Sequence, residues 1–112
     1  MKNLTWDEFR KIELRAGTII EVKDFPEAKT PAYKIKINLG DELGVRKTSA
    51  QLTGLYSKND LINKKVIVVT NLGAKQIGKF ISECLITGFY RKDKKVVLAI
   101  PESNIPNGSL LS

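Results

Sequence analysis

Ile12-Glu13-Leu14-Arg15-Ala16-Gly17-Thr18-Ile19-Ile20-Glu21-Val22-Lys23 is the stretch that constrains everything around it. Ile12, Leu14, Ala16, Ile20 and Val22 fall on one face with Thr18, while Glu13, Arg15, Glu21 and Lys23 fall on the other. Period-two alternation marks a half-buried strand, and twelve residues is long for one. Gly17 sits where such a strand can bend or bulge to serve two sheets. That is how a small barrel turns its corner.

On the N-terminal side, Thr5-Trp6-Asp7-Glu8 has the form of a capping box, with the Thr5 hydroxyl and the Glu8 carboxylate satisfying each other's backbone amides. The helix it opens is short, because strand alternation has begun by Ile12. Leu4, Trp6 and Phe9 give this opening turn more apolar surface than one turn needs. They either cover an open end of their own domain or meet a second copy of the chain. Leu110 and Leu111 at the far end pose the same choice.

On the C-terminal side, the two prolines of Phe25-Pro26-Glu27-Ala28-Lys29-Thr30-Pro31 interrupt any ladder, so this segment reads as a loop. Tyr33, Ile35, Ile37 and Leu39 then alternate with Lys34, Lys36 and Asn38, a second strand with a basic outer face. Gly40 to Gly44 supplies a turn. The third strand, Val45 to Leu52, carries Arg46, Lys47, Thr48, Ser49 and Gln51 and is unusually polar. Such a strand is either an edge protected by charge or a ligand face. Residues 53 to 63 read as a turn or short helix, with Leu61 and Ile62 plugging the barrel end.

Val66-Ile67-Val68-Val69 reads as a buried fourth strand, and Asn71 to Ile86 follows it: N-L-G-A-K-Q-I-G-K-F-I-S-E-C-L-I. This segment breaks at Gly73, carries Lys75 and Lys79 through a loop with Gly78, and re-enters an apolar run at Phe80. It brings an amide, two ammonium groups and the Ser82 hydroxyl to one rim, groups that hold nucleic acids in register without reading bases. The bland alternative is a glycine-containing loop with solvated lysines. A fifth strand runs through Thr87 and Phe89, Arg91 to Lys95 form a basic hairpin loop, and Val96 to Ile100 form the last strand.

The chain's 112 residues suffice for one domain, residues 1–112, with a real core. Its 19 Lys/Arg against 12 Asp/Glu give a net charge of +7. Residues 57–112 hold nine basic against four acidic side chains, compared with ten against eight in residues 1–56. A basic surface favours phosphate backbones, anionic membranes or acidic partners, although charge also serves solubility. The chain has no histidine and a single cysteine, Cys84. Triads, thiol pairs and histidine-held metals are therefore absent, and neither catalysis nor a cofactor is expected. Cys84, inside an apolar run, is expected in the core. One cysteine, no apolar leader and no long apolar run point to a cytoplasmic protein that does not enter a membrane.

Five or six strands, most of them short and the first long and bent, with a short N-terminal helix and extra C-terminal strand elements, predict an all-β five-stranded OB-fold barrel. The binding face of that fold would here carry Lys34, Lys36, Arg46, Lys47, Ser49 and Gln51. Asn71, Lys75, Lys79 and Ser82 would join it from the segment after the fourth strand. Aromatic residues are scarce on this surface, with Tyr33 facing inward. Base stacking is thus disfavoured against shape and backbone recognition of a folded RNA.

Several segments also carry a resemblance. They are Ile12 to Ile19, Phe25 to Ala28, Leu39-Gly40, Thr48 to Gln51, Leu61 to Lys64 and Val68 to Leu72, with Gly78, Phe80, Ser82-Glu83, Val97-Leu98 and Pro106 to Gly108. In these the chain resembles the CsaA branch of the small tRNA-binding-domain proteins, relatives of the domain appended to some methionyl-tRNA synthetases. The resemblance implies an OB-fold homodimer with tRNA as partner and no enzymatic role. It also implies chaperone-like, export-related binding of unfolded or precursor polypeptides as the alternative function. It links Asn71 and Ser82 to tRNA contact, with Cys84 at the third position of that motif. Gly73-Ala74-Lys75-Gln76 stands where relatives usually carry Pro and two basic residues, which implies a looser, less charged loop. For the dimer contact it implies the terminal elements, matching Leu4, Trp6, Phe9, Leu110 and Leu111.

Overall fold

The computed structural model describes residues 2–112. The capping box forms as expected, with Thr5 N donating to Glu8 Oε1 at 3.0 Å and Glu8 N to Thr5 Oγ1 at 3.1 Å. It starts α1 (Trp6–Arg10), a helix with no buried residue. Three strands follow as a meander: β1 (Leu14–Asp24), β2 (Tyr33–Asn38) and β3 (Val45–Ala50). A second capping box, Ser57 with Asp60, opens α2 (Lys58–Leu61). Then come β4 (Lys65–Val69), the β5 (Lys75–Ile77) and β6 (Phe80–Ser82) hairpin, β7 (Leu85–Ile86), and the β8 (Gly88–Tyr90) and β9 (Val96–Leu98) hairpin.

The main sheet has the order β3-β2-β1-β4-β7, with every pairing antiparallel. β1 is shared. Its first half, Leu14 to Thr18, pairs with β4, and its second half, Thr18 to Asp24, pairs with β2. The two edges of the sheet then meet through a latch made by Ser82, Glu83 and Cys84. Glu83 N donates to Lys47 O at 2.9 Å, and Lys47 N donates back to Glu83 Oε1 at 3.0 Å. Thr48 Oγ1 donates to Cys84 O at 2.7 Å, and Ser49 N to Ser82 Oγ at 3.0 Å. The result is a nearly closed five-stranded OB-fold barrel. Ile19, Ile35, Ile37, Leu39, Leu61, Val66 and Val68 fill it.

β1 bends, but at a different residue from the one its sequence suggests. The pairing with β2 shifts register between Ile19 and Glu21, so Ile20 is bulged out and lies exposed. An inserted residue reverses the parity of alternation. Gly17 and Ile19 therefore face the interior before the bulge and Val22 after it, while Ile12 and Ile20, expected on the core face, lie outside. Gly17 serves packing instead of bending: a Cβ there would sit 2.6 Å from Ile37 Cγ2 and 2.8 Å from Leu39 Cδ2. Of the expected plug, Leu61 is fully buried, whereas Ile62 turns outward at the end of α2.

The C-terminal tail returns to β1. Gly108 N donates to Ala16 O, Ala16 N to Ser109 O and Leu111 N to Leu14 O, at 2.8, 2.9 and 2.9 Å. These bonds satisfy a strand edge that would otherwise be open. The side chains of Leu110 and Leu111 still point to solvent, 63% and 45% exposed.

Candidate nucleic-acid interface

The candidate surface is built on the outer face of β2 and β3. The register pairs Lys34 with Ser49 and Lys36 with Lys47, so these four side chains share that face. Arg46 does not join them. It pairs with Ile37 on the interior face at the end of the barrel, and its Nη1 donates to Thr70 O at 2.8 Å. A strand alternates its side chains, and the sequence places Arg46 and Lys47 side by side, so only one can face a ligand there.

Beneath the lysines lie two aromatic rings. Phe25 and Phe80 have centroids 5.4 Å apart at an interplanar angle of 57°. Lys34 Nζ sits 5.6 Å from the Phe25 centroid, and Lys47 Nζ 5.3 Å from that of Phe80. The ring faces attract these ammonium groups electrostatically and so limit their conformational freedom. Among the described residues, Lys36 alone of the candidate basic residues is ion-paired, at 3.6 Å to Glu21. Lys34, Arg46, Lys47, Lys75 and Lys79 have no carboxylate partner there.

The segment read as a loop is an ordered hairpin. β5 and β6 pair Lys75 with Ser82 and Ile77 with Phe80, around a turn at Gly78 (φ +60°) and Lys79. A positive φ at the first turn position followed by an ordinary residue suits a two-residue hairpin connection. The hairpin stands beside β3 and forms one wall of a groove of about 1050 Å³. Ser49, Gln51, Lys75 and Ser82 line this groove together. Lys79 stays exposed at the hairpin turn, and Lys34, Lys36, Arg46 and Lys47 lie outside the groove.

Two of the candidate polar residues also hold the fold. Asn71 Oδ1 accepts from Glu13 N at 2.8 Å, and its Nδ2 donates to Lys11 O, clasping the connection between α1 and β1. Glu13 itself accepts from Arg15 and from Thr70, whose guanidinium and hydroxyl hold its carboxyl below the usual carboxylate range. Ser82 Oγ accepts from Ser49 N and lies 3.2 Å from Ser49 Oγ. Two hydroxyls joined by one hydrogen bond keep one O–H to spare, and both residues line the groove. Cys84 is buried, as expected, and burial pushes its thiol up to about 11.

Sequence reasoning missed the aromatic content of this surface. The sequence places Phe25 in a loop and Phe80 at an apolar re-entry, yet together they floor the lysine pair. Phe89, expected in the fifth strand, and Tyr90 beside it line the groove and are 68% and 81% exposed. The available signal was adjacency: this aromatic pair directly precedes the basic Arg91–Lys95 loop. Lys29, from the loop after β1, lines the groove as well.

A nearly closed barrel with lysines on the outer face of β2 and β3 and an adjoining groove that combines apolar side chains with Lys29, Lys75 and the Ser49–Ser82 pair defines an OB-fold binding module. The family described as "Putative tRNA binding domain" matches residues 14–110, and the chain belongs to that family. Among solved structures, the CsaA chaperone protein from Picrophilus torridus is 45% identical with a TM-score of 0.93, covering 98% of this chain and all of that one. Chaperone CsaA from Bacillus anthracis is 35% identical with a TM-score of 0.94, covering 99% of this chain and all of that one. The methionine–tRNA ligase of Pyrococcus abyssi is 36% identical over 104 residues, which is 93% of this chain and 14% of the ligase. The chain thus spans about one seventh of the length of the curated relatives it matches. Among the described residues no helix is long and apolar enough to cross a membrane.

Proposed function

We propose that this chain is a cytoplasmic tRNA-binding module, one domain over residues 1–112, that recognises folded tRNA by shape and backbone contacts and is not an enzyme. The observation that carries the reading is the set of lysines without carboxylate partners, Lys34 and Lys47 on the outer face of β2 and β3 and Lys75 in the neighbouring groove, in a chain of the tRNA-binding-domain family. Lys34 and Lys47 take phosphates at the flank, Lys75 and Lys79 take them along the hairpin, and the Ser49–Ser82 pair and Gln51 bond ribose or phosphate oxygens. Lys36 adds charge at the edge. Asn71 and Arg46 act mainly by fixing the backbone that presents the others.

The protein works as a homodimer through Leu4, Trp6, Phe9, Leu110 and Leu111. Support comes from α1, which buries none of its own residues and leaves Trp6 80% exposed. A second reading, binding of unfolded or export-bound polypeptides, is favoured by the apolar side chains Leu72, Leu85 and Phe89 in the same groove and by the chaperone naming of the CsaA structures.

Binding of bulk tRNA over a salt series, with unstructured RNA of equal length as competitor, tests the first reading. Steep salt dependence with preference for tRNA is expected. Lys75→Glu with Lys79→Glu should reduce the log–log salt slope by about 1.5 and leave suppression of protein aggregation intact. Equal weak binding of both RNAs transfers the function to polypeptides.

A further inference from the structure

Tyr90 is the one tyrosine of three that the fold does not use. The Tyr33 hydroxyl donates to Tyr56 O at 2.8 Å, and the Tyr56 hydroxyl accepts from Leu98 N at 3.1 Å. Tyr90 is 81% exposed and makes no side-chain hydrogen bond among the described residues. Phe89 beside it is 68% exposed. Both line the groove that also holds Lys75 and Gln51.

The turn that follows them is basic and preformed. Arg91 N donates to Lys95 O at 2.8 Å, and Lys94 N to Arg91 O at 3.0 Å, with Lys94 at φ +71°. Its only acid, Asp93, is taken up by Arg91 Nη2 at 2.9 Å and by Lys95 N at 3.1 Å. The ammonium groups of Lys92, Lys94 and Lys95 have no carboxylate within 4.0 Å among the described residues. Exposed aromatic rings beside cations without acidic partners are what a single strand of nucleic acid requires: a ring for the base and charge for the phosphate.

We infer that the β8–β9 hairpin is a docking site for an unpaired stretch of RNA, with Tyr90 stacking on a nucleobase and Lys92 and Lys94 taking the adjoining phosphates. The charge selects this occupant. A second copy of the chain would bring the same excess of positive charge, and an apolar peptide would leave the ammonium groups without a counter-charge. The inference rests on the tRNA-binding reading and adds to it a contact with unstacked bases, which the shape-reading groove alone does not supply.

The test compares wild-type protein with Tyr90→Ala, Tyr90→Phe and Lys92→Glu/Lys94→Glu on three probes: bulk tRNA, a short oligouridylate and a blunt RNA duplex. Tyr90→Ala should lose about tenfold in affinity for tRNA and oligouridylate and nothing for the duplex. Tyr90→Phe keeps the ring and should bind like wild type. The lysine reversals should weaken tRNA and oligouridylate binding and flatten their salt dependence. Wild-type tRNA binding with unchanged affinity in Tyr90→Ala overturns this inference while leaving the broader reading intact. Failure of the wild type to bind tRNA overturns both. Conversion of Tyr90→Ala to a different oligomeric state, or loss only of polypeptide binding, also overturns the stacking role.

Discussion

Gly17 has no room for a methyl group. Its absent Cβ would lie 2.6 Å and 2.8 Å from the side chains of Ile37 and Leu39 and 3.2 Å from Asn38 O. Both side chains are fully buried, so neither can swing away. Gly17→Ala should therefore destabilise the protein by about 2 kcal/mol, as overpacking does. Denaturant unfolding measures this, and a loss below about 0.5 kcal/mol, the usual range for an uninvolved site, would refute the close-packing role. The sequence marks Gly17 as special but not why: glycine in a strand signals either a bend or a close neighbour. Only the register shift at Ile20 shows that the bend lies elsewhere. Asn71 and Ser82 pose a similar ambiguity. Both stand out as polar groups at a strand exit or rim, yet their bonds to Glu13, Lys11 and Ser49 show that they also hold the backbone in place.

At the scale of elements, the long alternating strands were legible and the short ones were not. β2 follows its alternation closely, because one face meets the core and the other meets water. β5 and β6 have three residues each, too few for a period to declare itself, and Gly73 and Gly78 make the segment resemble a loop. The sequence allows the tail two roles, and the structure divides them by atom. Its backbone closes the edge of β1, while the Leu110 and Leu111 side chains stay outside. Deleting residues 109–112 removes the bonds from Ala16 N to Ser109 O and from Leu111 N to Leu14 O. At about 1 kcal/mol each, the loss should be about 2 kcal/mol, with aggregation from the opened edge. Leu110→Ser with Leu111→Ser keeps those backbone bonds and should leave unfolding of the isolated protomer unchanged. Thermal unfolding at low protein concentration with light scattering separates the two variants. Equal destabilisation by both would mean that the side chains, not the strand pairing, hold the tail.

Over the whole molecule, apolar surface is exposed both in the groove and at the chain ends. The groove gathers β3, the β5–β6 hairpin and β8, with Lys75 among its lining, whereas Leu4, Trp6, Phe9, Leu110 and Leu111 come from the two ends of the chain. α1 is the element on which the proposed dimer rests. It has five residues, far below the length at which a helix persists alone, and none of its side chains is fully buried against its own barrel. A local capping box contributes only about 1 kcal/mol, so the geometry of α1 calls for a partner surface. Trp6→Ala with Phe9→Ser should convert the proposed dimer to monomer by sedimentation while preserving the barrel's circular dichroism. The same variant should bind tRNA more weakly, although neither residue belongs to the groove. Two basic faces on one particle engage a single polyanion at high effective concentration, and a monomer forfeits that gain. A variant that sediments as a monomer yet binds tRNA like wild type would show that one face suffices. One that remains a dimer would move the interface away from α1.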